Sequence, residues 1–132
     1  MKKTPALKRL REDVLTAVKK KKSLRGIDGR TLHVRSEHSA LNVLLQSAGA
    51  LLVKQATINL YKELTRRGFE WGTDWGMVVH CHDEWGLQVR EGLEQEIAEV
   101  SVWAFQEAGR QFKWRCPLDG EAKIGMNWSE TH

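Results

Sequence analysis

Two short apolar runs flank an acidic tripeptide in the segment Val78-Val-His-Cys-His-Asp-Glu-Trp-Gly-Leu-Gln-Val89. Met77, Val78 and Val79 come before it; Trp85, Leu87 and Val89 come after it, alternating with Gly86, Gln88 and Arg90. Alternation at a period of two puts every second side chain on one face of a strand, so the pattern predicts a hairpin with His82-Asp83-Glu84 at its tip. Adjacent carboxylates are depleted within strands and costly to desolvate, which is why they belong at an exposed turn. Such a turn suits a divalent cation or a metal-bound phosphate. Taken alone, the tripeptide reads more simply as a solvated acidic turn, so other segments have to decide.

A chain of 132 residues can build one domain with a real core, but it is short for a multi-step enzyme. Its net charge of +4 is unevenly spread. Residues 1–25 hold ten Lys or Arg and two acids, while the remainder holds eleven basic and fifteen acidic residues. The basicity centres on Lys19-Lys20-Lys21-Lys22, which suits a polyanion such as nucleic acid and equally suits the last turn of a solvated helix. Cys81 and Cys116 make no disulfide or metal framework, and Cys81, inside an apolar run, is expected to be a buried free thiol. With neither a signal peptide nor a membrane-spanning run, a cytoplasmic protein with no membrane partner is expected.

Helical spacing appears first in Ala6, Leu7, Leu10, Val14, Leu15 and Val18, with Thr4 placed to cap and Pro5 in the first turn. That amphipathic helix, Thr4 to Lys22, needs a surface to pack on. Gly26, Asp28 and Gly29 then predict a turn, and Leu32 and Val34 a short strand. Ser36 can cap a long helix from about Glu37 to Arg67, ended by Gly68 and apolar enough to be largely buried. His38, Asn42, Gln46 and Gly49 share one stripe of it. Either protein groups satisfy this stripe internally or it opens on a groove holding a polar ligand. A third helix, Leu93 to Ala108, has Leu93, Ile97, Val100 and Ala104 inward and Glu94, Glu96 and Glu99 outward, with Gly109 as its stop. Phe112, Trp114 and Cys116 suggest one more strand, and the aromatic tail should pack back on the sheet.

Three segments, in order, resemble the C-terminal part of a family A DNA polymerase of the bacteriophage replicative type. They are Gly26 to Ala50 (GIDGRTLHVRSEHSALNVLLQSAGA), VVHCHDEWGLQV, which is similar to the family's motif C, and the ending GMNWSETH. The resemblance implies an α+β fold, a partial palm with the motif C hairpin packed on long helices. Residues 1–36 would be the end of the fingers subdomain and residues 37–132 the partial palm. It further implies two-metal nucleotidyl transfer, with Asp83 a direct Mg2+ ligand, Glu84 supporting the site and His82 at the primer backbone. Asn42 and Gln46 match residues that touch the minor groove of primer-template DNA. Arg35 matches an arginine just ahead of that helix, and His132 is expected near the active site.

The family's other metal-binding Asp, in motif A, and the motif B helix that holds the incoming triphosphate have no counterpart in these residues. The expectation is therefore a chain inactive alone, acting with a separately encoded fragment carrying motifs A and B, or a prophage remnant. An open palm sheet edge would also favour homo-oligomers. Two alternatives stand beside this one: a non-catalytic nucleic-acid-binding module built on the lysine run and the long helix, and a small metallohydrolase using His80, His82 and Asp83.

Overall fold

The computed structural model describes residues 4–131, so the expectation for His132 lies outside the described residues. Helices and small antiparallel sheets alternate along the chain, an α+β arrangement. The chain divides into two compact units, one ending at Gly49 and the other beginning at Ala50.

In the first unit, helix α1 (Pro5–Lys21) leads into strand β1 (Ser23–Arg25), which pairs antiparallel with β2 (Thr31–His33). Thr4 precedes α1 as expected, but its side chain makes no capping bond; its backbone carbonyl accepts from Leu7 and Lys8 instead. Lys22 closes the helix in the left-handed region, its amide donating to the Val18 carbonyl. The turn at Gly26–Arg30 forms where Gly and Asp predict it, and Gly29, at φ +83°, takes a conformation that glycine adopts without strain. Strand β1 carries no periodic signal of its own because three residues are too few to show one. Val14, Val18, Leu24, Val34 and Ala40 form the small core here.

Helix α2 (Ala40–Arg66) is preceded by a 3-10 turn, Glu37–Ser39. Ser36 starts this turn without a side-chain cap to the backbone, its hydroxyl donating to that of Ser39. At the far end, Gly68 N–H donates to the Thr65 carbonyl and Phe69 N–H to that of Leu64. With Gly68 at φ +90°, this is a Schellman closure, and Phe69 packs on the same core as Leu64. The expectation that α2 is largely buried needs correction, because Leu45 (53 % exposed) and Tyr61 (50 %) lie outward, as does Ile58.

Strands β3 (Trp75–Cys81) and β4 (Glu84–Val89) pair antiparallel and form the hairpin of the second unit. Helix α3 (Glu94–Gln111) supplies Ile97, Val100 and Ala104, which meet Leu60, Leu64 and Trp75 in the core. Met77, Trp85, Leu87, Val89 and Leu93 pack against that cluster, so one face of the hairpin and the inner stripe of α3 form as their periodicity predicts. Asn59 is the polar residue buried on α2. Its amide donates to the Ala104 carbonyl (3.3 Å) and Gln111 Oε1 (3.2 Å), and its carbonyl accepts from Gln55 (3.0 Å).

Two sequence expectations fail after α3. The helix does not stop at Gly109, which is buried inside it. A Cβ there would meet Leu118 at 2.9 Å, so the glycine makes room for the returning tail. Nor do Phe112, Trp114 and Cys116 form a strand. Lys113 sits at φ +55°, its N–H donates to the Arg110 carbonyl and that of Trp114 to the Gly109 carbonyl, and this closure of the helix takes the backbone out of extended geometry. The tail does pack back, through Leu118 on α3 and Trp128 on the hairpin.

Candidate active site

The tip of the hairpin is a two-residue connection, His82-Asp83, between the paired residues Cys81 and Glu84. Tight hairpin turns need left-handed backbone within the loop, and here His82 supplies it at φ +53° without being glycine. Asp83 and Glu84 are exposed, side by side at the end of the strand pair. No such carboxylate pair has to be desolvated, and that removes the objection to placing them here.

A bulge sets which way the tip residues face. Met77 pairs with Leu87, but Val79 pairs with Gly86, so Val78 is left over and stands 62 % exposed. Without the bulge Met77, Val79 and Cys81 would share the core face. The extra residue switches Val79 and Cys81 to the opposite face, together with Glu84 and Gly86. The expected burial of Cys81 is therefore overturned: it is an exposed thiol, as is Cys116.

At its base the hairpin is tied by a residue that neither periodicity nor motif singles out. Asp74 is buried, and its carboxylate accepts from the Glu70 amide (2.8 Å) and lies 2.7 Å from Arg90 Nη1. The signal available for it is an Asp between two glycines and two tryptophans, which looks like ordinary loop composition.

The remaining candidate residues fall in the first unit. Arg35 is exposed between β2 and the 3-10 turn. His38, Asn42, Gln46 and Gly49 share their stripe as expected, and all four are exposed. Nearby Lys20 and Lys21 are exposed in the last turn of α1, and Lys19 lies 3.9 Å from Glu37.

Among the described residues no group of three or more His, Cys, Asp or Glu side chains could hold a metal ion. The metallohydrolase reading loses its geometry as well. It placed His80 and His82 on one side of a strand, whereas β3 ends at Cys81 and His82 belongs to the turn. The donor set that remains is one or two carboxylate oxygens. That suits Mg2+, which binds few protein ligands and keeps waters and substrate phosphates in its shell. No helix among the described residues is long and apolar enough to cross a membrane.

Comparison with known proteins places this hairpin in context. The chain is similar in fold to the POL domain of Pol1 from M. smegmatis, solved in complex with DNA primer-template and dNTP. The TM-score is 0.67 at 22 % identity, over 77 % of this chain and 19 % of that one. The fold is thus that of part of a polymerase domain. More specifically, the chain belongs to DNA polymerase family A, matching the family over residues 1–130. It is 40 % identical over 116 residues to the DNA-directed DNA polymerase of Enterobacteria phage T3 and 41 % identical over 119 residues to that of Escherichia phage T7. Each alignment covers 86 % of this chain and 16 % of the phage protein, so the chain spans about a sixth of the length of these relatives.

Proposed function

We propose that this chain is the motif C part of a family A DNA polymerase and contributes Asp83 to template-directed nucleotidyl transfer on primer-template DNA. The observation that carries the reading is an exposed Asp83-Glu84 pair at the tip of a two-stranded hairpin, in a chain that matches the family over nearly its whole length. Asp83 would hold Mg2+ with Glu84 beside it. When bound, the metal would polarise the primer 3′-hydroxyl and offset the charge of the triphosphate. His82, next to the carboxylates, would contact the primer backbone near its 3′ end. Asn42 and Gln46, each with a donor and an acceptor, would read minor-groove acceptors shared by all base pairs, and Arg35 would pair with a phosphate. On this reading the segment up to Ser36 is the end of the fingers and the rest is palm.

Phosphoryl transfer by two metals takes carboxylates from a second segment and a cationic clamp on the triphosphate. These 132 residues would be inactive by themselves and would work with motifs A and B, carried on the same or another polypeptide. The decisive experiment is primer extension by the chain mixed with such a polypeptide. Activity should need both parts, and Asp83→Asn should abolish it while leaving association intact. A well-folded, associated but inactive mixture refutes the proposal. Both outer edges of the β3–β4 pair lack a strand neighbour among the described residues, so the chain studied alone should self-associate; a monomer in size-exclusion chromatography contradicts that part.

A second reading is favoured by the exposed basic run on α1. The chain would then be a non-catalytic nucleic-acid-binding module. It predicts DNA affinity that survives Asp83→Asn and a mixture that never extends a primer.

A further inference from the structure

Gly86 lies in ordinary extended backbone, so conformation does not require a glycine there. Space does. A Cβ at this position would stand 3.1 Å from Val79 Cβ and 3.2 Å from the Trp128 ring. Gly76, on the partner strand, has nothing within 4 Å of the same point. The contrast marks Gly86 as a seat for the Trp128 ring.

The seat is on a particular face. Trp85 and Leu87 pack toward the core, so Gly86 and Glu84 project from the other side of β4. Trp128 therefore lies on the same face as Glu84, two residues along the strand, and Glu84 adjoins Asp83.

The segment that delivers the ring is braced by its own polar groups. Glu130 accepts from the Met126 amide (2.8 Å) and from Asn127 Nδ2 (2.7 Å). Asn127 Oδ1 accepts from the Ser129 amide (3.1 Å) and hydroxyl (2.7 Å), and Thr131 Oγ1 donates to the Trp128 carbonyl (2.9 Å). Gly125 lets this loop close, since a Cβ there would sit 2.7 Å from Glu130 Cβ. Around the braced loop Ile124 and Met126 are exposed, whereas the Trp128 ring meets Gly86.

We propose that Gly125–Thr131 is a clip whose Trp128, seated on Gly86, holds the Asp83-Glu84 tip in place for metal binding. Trp128 and Gly86 are positioning residues. Trp128 is half-buried at 52 % exposure and is not among the residues of the α2–α3 core, which packs without it. Its loss should loosen the tip far more than the fold. The clip rests on the polymerase reading only for its purpose, not for its existence.

The test uses the whole chain and two separate readouts. In amide hydrogen exchange, Trp128→Ala should speed exchange at residues 79–86 by about tenfold or more while core amides of α2 and α3 keep their protection. Trp128→Phe should restore slow exchange, and Gly86→Ala should reproduce the loosening. Unchanged exchange at the tip in Trp128→Ala, or exchange raised equally in the core, overturns the clip. The second readout is Mn2+-induced broadening of NMR signals at residues 82–84. It should vanish in Asp83→Asn, weaken in Trp128→Ala and recover in Trp128→Phe. Broadening that weakens equally in Trp128→Phe overturns the positioning role. Broadening that ignores Asp83→Asn overturns the metal reading, and the exchange result then stands for the clip by itself.

Discussion

Arg90 grips Asp74 twice: its Nη1 lies 2.7 Å from Asp74 Oδ1, and its amide donates to the Asp74 carbonyl at 2.8 Å. The two residues bracket the hairpin, so this pair closes its base as the two-residue turn closes its tip. Asp74 is buried while Arg90 is largely exposed, and that asymmetry predicts unequal mutant effects. Asp74→Ala also frees the Glu70 amide and should cost about 2 kcal/mol in urea unfolding. Arg90→Ala, the loss of a partly solvated partner, should cost about 1 kcal/mol or less. Equal costs would show that the carboxylate is not the centre of this knot.

Glu63 predicts how the second unit responds to acid. Hydrogen bonds from Arg66 (2.6 Å) and Arg67 (2.9 Å) hold its carboxyl at a pKa of about 2, below the ordinary 4.5. A depressed folded-state pKa contributes stability that is present above the unfolded value and lost as pH falls toward the folded one. Stability measured by urea unfolding should therefore drop between about pH 4.5 and 2, and Glu63→Gln should flatten that part of the profile. A wild-type profile already flat there would contradict the assignment.

Two helical glycines should respond to alanine with opposite signs. Gly49 in α2 has nothing within 4 Å of an added Cβ, so Gly49→Ala should stabilise by up to about 1 kcal/mol through helix propensity. Gly109 in α3 faces Leu118 at 2.9 Å, and Gly109→Ala should destabilise by about 1 kcal/mol or more despite the same propensity gain. Adding Leu118→Ala to Gly109→Ala should recover part of the loss. Thermal unfolding of the three variants reads the signs directly.

Charge reversal on α1 separates phosphate binding from a merely solvated helix end. Lys20→Glu with Lys21→Glu should lower the slope of log affinity for duplex DNA against log salt by about 2, without changing sequence preference. An unaltered slope in fluorescence anisotropy would assign the run to the helix dipole alone.

Strong local periodicity is readable wherever one face meets one core. The α3 stripe, the alternation of β4 carried by Trp85, Leu87 and Val89, and the Gly68 stop all form as the pattern implies. What local pattern does not carry is anything decided by a distant neighbour. Gly109 looks like a helix stop until Leu118 is known to lie on it, and Asp74 looks like loop until Arg90 is known to return to it. Asn59 is inconspicuous among apolar residues because its partner, the Ala104 carbonyl, lies on another helix.

By itself the sequence determined the hairpin and the place of Asp83 at its tip, because turn chemistry and period-two alternation act within a few residues; the family kinship came from the resemblance of three segments. Only the tertiary structure decided which face each tip residue takes. That choice turns on one unpaired residue, Val78, and a bulge depends on how two strands register against a packed core, which no single strand encodes. The same bulge exposes Cys81 and puts Glu84 and Gly86 together on the face where Trp128 is seated.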